Sequence, residues 1–134
     1  MRLVVDTNVL VSALLHPGRT PDLCLAAVRA SGASVLLEER VEAEYREVLA
    51  RPKFRGVDPA RREALIASLC EGGERVRLGA ASTVALVDEG DRVFVDLCLA
   101  GRADAVLTGN AKHYPTDLGF EVLSPTALLA RLGA

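Results

Sequence analysis

The chain has 134 residues, half of them apolar, which fits one domain over 1–134 with a core that needs no covalent staples. Its formal charge of −2 excludes a basic body that grips nucleic acid wherever it touches, so any such contact is local. Aromatic residues make up only 4%, which leaves aliphatic side chains to fill the core and few rings to stack on bases.

Residues 2–5 are a short β-branched apolar run that ends at Asp6, the pattern of a strand buried on both faces and therefore central. Residues 7–15 read as a helix. Thr20-Pro21 opens a second helix with a cap and a first-turn proline, closed by Gly32. Residues 34–37 form the next strand.

Residues 39–51 carry Val41, Tyr45, Val48 and Leu49 on one helical stripe, ended by Pro52. Asp58-Pro59 starts a further helix, which stops at Gly72-Gly73 before a short strand over 75–78. Asp91 opens a helix to Ala100, strands follow over 103–107 and 121–123, and Ser124-Pro125 caps a last helix. Strands alternating with helices call for right-handed crossovers and a parallel sheet covered on both faces.

Cys24, Cys70 and Cys98 are odd in number and set in apolar sequence, which reads as buried free thiols in a reducing, cytoplasmic setting. Asp6 and Asn8 interrupt the apolar start before a signal-peptide core forms, and no run reaches transmembrane length. Arginine outnumbers lysine 14 to 2, a bias that suits bidentate phosphate contact and that GC-rich coding also produces.

Ligands of open parallel sheets bind beyond the carboxyl ends of the strands, so Asp6 and Thr108-Gly109-Asn110 are site candidates. Taken alone, Asp6 also reads as a helix cap. Glu42 and Glu44 both border the apolar stripe of their helix, and periodicity does not choose between them. Asp91 heads an apolar helix, where free amides favour an anion, so an N-cap explains it as well. Asp96 falls on the far side from Phe94, Leu97 and Cys98 and reads as solvated.

Three carboxylates from three elements, brought to one sheet edge, repel by about 4 kcal/mol per pair at roughly 4 Å and an effective dielectric near 20. A cation is the natural neutraliser. With no cysteine or histidine pair, an all-oxygen shell points to magnesium or manganese, and phosphodiester hydrolysis by an activated water follows.

These residues resemble the PIN-domain family, and more narrowly its stand-alone bacterial VapC-like toxin ribonucleases, across essentially the whole chain. Asp6-Thr7-Asn8-Val9-Leu10 looks like the family's DTNVL-type opening, Glu44 matches its helical acid, and Asp91 its third acid. Thr108-Gly109-Asn110-Ala111-Lys112-His113-Tyr114-Pro115 is similar to the TGN-x-KHFP segment, and Leu123-Ser124-Pro125 to the closing LSP.

The resemblance implies a three-layer α/β/α fold with a five-stranded parallel sheet in the order 3-2-1-4-5. It also implies metal-dependent ribonuclease activity, a cognate antitoxin and homodimeric assembly. Asp6, Glu44 and Asp91 would hold Mg2+ or Mn2+, with Thr7, Asn8, Thr108 and His113 in support. Asn110 stands where many relatives carry a fourth acid, and an uncharged amide is the weaker ligand for a hard cation. Arg51, Lys53 and Arg55, with Arg61 and Arg62, could meet an RNA backbone or simply face solvent.

Two rivals remain. A haloacid-dehalogenase-type phosphatase also uses an aspartate after its first strand, but it needs a second aspartate where this chain has Asn8. A catalytically impaired PIN-like module that binds RNA or protein is the other.

Overall fold

A computed structural model describes residues 1–133. Strands β1 (Arg2–Val5), β2 (Ser34–Leu37), β3 (Glu74–Arg75), β4 (Ala105–Leu107) and β5 (Glu121–Leu123) form one parallel sheet in the order β3-β2-β1-β4-β5. Six helices accompany it: α1 (Thr7–Leu15), α2 (Thr20–Ser31), α3 (Glu39–Leu49), α4 (Pro59–Cys70), α5 (Arg92–Ala100) and α6 (Pro125–Arg131). This is the α/β fold and strand order that the motifs imply.

Strand β1 is central because Leu3, Val4 and Val5 expose no surface to solvent, and only a position between two partners and two helical layers achieves that. Val4 pairs with Val106 and Val5 with Leu107. Helix α5 lies against β1, β2 and β4, while α1, α2, α4 and α6 pack on one another as the second helical layer. On α3 the residues Val41, Tyr45 and Leu49 recur every fourth position and are buried. The Tyr45 hydroxyl donates to the carbonyl of Val5 at 2.5 Å, which fixes α3 to the end of β1.

Several sequence expectations need correction. Thr20 is the first residue of α2 rather than its cap: Arg19 holds the cap position without a side-chain bond, while the Asp22 carboxylate accepts from the Gly18 amide instead. Strand β3 is shorter and earlier than 75–78, and β4 starts at Ala105 because Asp104 is occupied with the backbone of Arg2. Cys24 and Cys98 are buried free thiols, but Cys70 is only half-buried at the end of α4.

Asp96 is not on a solvated face. The irregular stretch 76–88 crosses that side of α5, and Asp96 Oδ2 accepts from the Ser82 amide at 3.1 Å. Its Oδ1 is buried with no hydrogen-bond partner among the described residues. Arg92 reinforces the same crossing by donating to the carbonyls of Ser82 at 2.7 Å and Val84 at 2.9 Å. Among the described residues no helix is long and apolar enough to cross a membrane.

Candidate metal centre

The parallel ladder sets the first residue of the site. Asp6 follows β1 and Thr108 follows β4, and their amides extend the sheet by bonding to Leu107 at 2.9 Å and Leu123 at 3.0 Å. Two adjacent central strands therefore end side by side, with a polar residue after each. Asp6 is only 5% exposed and Thr108 not at all.

The Asp6 carboxylate is surrounded by donors, as a buried charge requires. Oδ1 accepts from the Asn8 amide at 3.2 Å, which also caps α1, so the cap and site readings hold together. Oδ2 accepts from the Tyr114 hydroxyl at 2.9 Å, the Thr108 hydroxyl at 3.0 Å and the Asn8 side chain at 3.4 Å. Asn8 is itself oriented by the Gly109 amide, which donates to its Oδ1 at 3.0 Å. Burial, followed by the charges of Asp6 and Asp91, pushes the Tyr114 phenol far up, so its proton stays on the oxygen.

Of the two glutamates that border the stripe of α3, Glu44 faces this site and accepts from the hydroxyl of Thr7. Glu42 turns the other way and takes a two-armed ion pair from Arg75 on β3. Burial pushes the Glu44 carboxyl above its ordinary range; the Thr7 hydrogen bond opposes that, and the charge of Asp6 adds to it.

Asp91 ends a one-turn 3-10 helix, Glu89–Asp91, immediately before α5. Its side chain caps no amide, contrary to the N-cap expectation; the cap that forms is on the 3-10 turn before it, where Asp88 accepts from Gly90 at 2.8 Å. Burial first, and then the charges of Asp6, Asp88 and Glu44 against that of His113, together push the Asp91 carboxyl from its ordinary 3.8 up to about 6. Asp88, Asp91 and His113 each bring a ligand atom to within 4.8 Å of the others. Asp6 and Glu44 stand outside that triangle and act on Asp91 through their charge.

Such a group fits a divalent cation: two carboxylates from one 3-10 turn, one of them already forced toward neutrality, and an imidazole from a distant segment alongside. Asn110 stays exposed and outside the triangle, its amide donating to the Thr108 hydroxyl at 3.0 Å. Of the suggested phosphate contacts, Arg51 is paired with Glu47, whereas Lys53 and Arg55 are exposed and without a carboxylate partner among the described residues. Arg61 and Arg62 donate to the carbonyls of Leu14 and Leu49. The apolar groove between α2 and α4, lined by Leu25, Val28, Leu65 and Leu69, includes none of these carboxylates.

Two residues of the site escaped the sequence reading. Asp88 lies three residues before Asp91, the spacing that places two side chains above each other on a 3-10 turn. Tyr114 stood in plain view where the TGN-x-KHFP segment has phenylalanine, and the added hydroxyl was its only signal.

The PIN domain model matches residues 2–112. The crystal structure of VapBC2 from Rickettsia felis, bound to a DNA fragment from their promoter, is similar with a TM-score of 0.62 at 15% identity, covering 92% of this chain and 98% of that one. A likeness at that identity speaks for the fold alone. No curated protein matches the chain. A family model covering well over half of the sequence and the sheet order seen here agree, and the chain belongs to the PIN-domain family.

Proposed function

We propose that the chain is a divalent-cation-dependent ribonuclease that hydrolyses RNA phosphodiester bonds, with magnesium or manganese as the cation. The observation that carries this reading is the meeting of Asp88, Asp91 and His113, whose ligand atoms lie within 4.8 Å of one another, with the charges of Asp6 and Glu44 acting on Asp91 from beside them. A stable fold that keeps such a charge excess is suited to a dication, not to solvent alone. Asp6, Glu44 and Asp91 would hold the ion directly or through water, and Asp88 and His113 stand beside Asp91 to share it. When bound, the ion supplies neutralisation of phosphate charge and activation of a water.

The chain's own residues do the rest. Thr7, Asn8 and Thr108 keep Glu44 and Asp6 in place through hydrogen bonds. His113, within 4.8 Å of Asp88 and Asp91, is placed to complete their hold on the ion. Asn110, uncharged, contributes orientation rather than charge, and Lys53 and Arg55 are available to the phosphate backbone, with Arg51 weaker because Glu47 already pairs it. Cleavage of RNA that requires Mg2+ or Mn2+ and drops at least 100-fold in Asp6→Asn and in Asp91→Asn is the expected result. No cleavage with either ion would favour instead a PIN-like module that only binds RNA or protein, the reading that Asn110 supports.

The biological role consistent with this chemistry is the toxin of a toxin-antitoxin pair, acting in the cytoplasm as a homodimer. The Rickettsia felis neighbour was solved as a VapBC2 assembly, which supports a protein partner here. Because the pocket is acidic, that partner would insert a basic side chain as a surrogate for the cation. A small DNA-binding protein encoded next to this chain, inhibiting cleavage on addition, is the outcome that checks it.

A further inference from the structure

We infer that Tyr114 is a positioning residue whose hydroxyl makes Asp6 a one-armed ligand, with a single carboxylate oxygen left to face the cation. This rests on the cation reading above. The argument starts from proton bookkeeping. The Thr108 hydroxyl accepts from the Asn110 amide at 3.0 Å, so its one proton is free to go to Asp6 Oδ2. The Tyr114 hydroxyl brings a second proton to the same oxygen at 2.9 Å, and the Asn8 side chain a third at 3.4 Å.

Three donors from three segments thus occupy Oδ2, while Oδ1 accepts only from the Asn8 amide. A carboxylate oxygen has about two lone-pair directions, so what remains for a metal lies on Oδ1. The burial of Tyr114, which is 4% exposed, means this donor cannot be exchanged freely for water. Without it Oδ2 loses its shortest contact and the carboxylate gains freedom to rotate about its own bond axis.

The test compares Tyr114→Phe with Tyr45→Phe. The latter also removes a buried hydroxyl bond at the end of β1, but to the Val5 carbonyl rather than to a carboxylate. Mn2+ binding to chelator-stripped full-length protein is followed by titration calorimetry, alongside kcat and KM for RNA cleavage. Tyr114→Phe is expected to weaken Mn2+ binding by roughly 10-fold and lower kcat by a similar factor at unchanged KM, the usual scale for losing a residue that orients a metal ligand. Tyr45→Phe is expected to leave the Mn2+ affinity within about twofold. Wild-type affinity in Tyr114→Phe, or equal losses in both variants, would overturn the inference while leaving the nuclease reading intact. If the unmodified protein binds no Mn2+, both fall together.

Discussion

The hydroxyl of Thr7, the first residue of α1, donates to the carboxylate of Glu44 on α3, so the helix that leaves the central strand steadies an acid carried by another helix. Burial makes the charged form of Glu44 costly, and the Thr7 bond offsets part of that cost. Glu44→Gln keeps an acceptor for Thr7 and removes the charge. The metal-free protein should therefore melt roughly 1–3 °C higher while cation binding falls at least 10-fold. Thermal melts in chelator, set beside Mn2+ titrations, check both halves.

Asp91 makes the metal-free protein sensitive to pH. Its carboxyl lies at about 6 in the fold against an ordinary 3.8, so the folded state holds the proton more tightly than the unfolded chain. The stability it contributes is full below about 3.8 and is lost as pH rises through about 6. Glu44, raised in the same sense, adds to the slope. Melting temperature in chelator should fall between pH 4 and 6.5, and Asp91→Asn should flatten most of that fall. A saturating dication should do the same.

Asp88 and His113 should matter for ion binding although neither is buried. Asp88→Asn and His113→Gln are each expected to weaken Mn2+ binding by roughly 10-fold, the order found when one group of a ligand constellation is removed. Glu42→Gln is the matched comparison: it removes an acid from the same end of α3, but one held by Arg75, and the Mn2+ affinity should not move.

Arg92 holds the irregular stretch 76–88 by bonds to Ser82 and Val84 and by an ion pair with Glu89. Removing those bonds leaves the Ser82 bond to Asp96, the Val76 bond to Leu37 and the packing of Val76, Leu78 and Leu86 on the core to hold that stretch. Arg92→Ala should raise amide exchange across residues 79–87 by about 10-fold or more, with the core strands unchanged, as mass-spectrometric hydrogen exchange would report. Since this stretch delivers Asp88, ion binding should weaken as well.

What the amino-acid order made legible, and what it hid, follows from the range of the forces involved. Runs such as Leu3-Val4-Val5, and the stripe Val41-Tyr45-Leu49, announce strand and helix because burial acts residue by residue along a regular period. The choice between Glu42 and Glu44 had no such signal. They flank the same stripe, and it was Arg75, more than thirty residues away, that claimed one of them. Asp91 looked like a cap because local rules favour an acid there, but its side chain bonds no amide of α5, and the cap that forms is that of Asp88 on the turn before. Asp96 looked solvated because nothing periodic marks the stretch that covers it.

The strand order has a further outcome during synthesis. Asp6 is made more than a hundred residues before its neighbours Thr108 and Tyr114, because β1 sits between β2 and β4. Parallel pairing of this kind cannot be anticipated by any shorter piece of the chain. A growing polypeptide on the ribosome therefore has no finished pocket until the segment that bears Thr108 and Tyr114 has emerged.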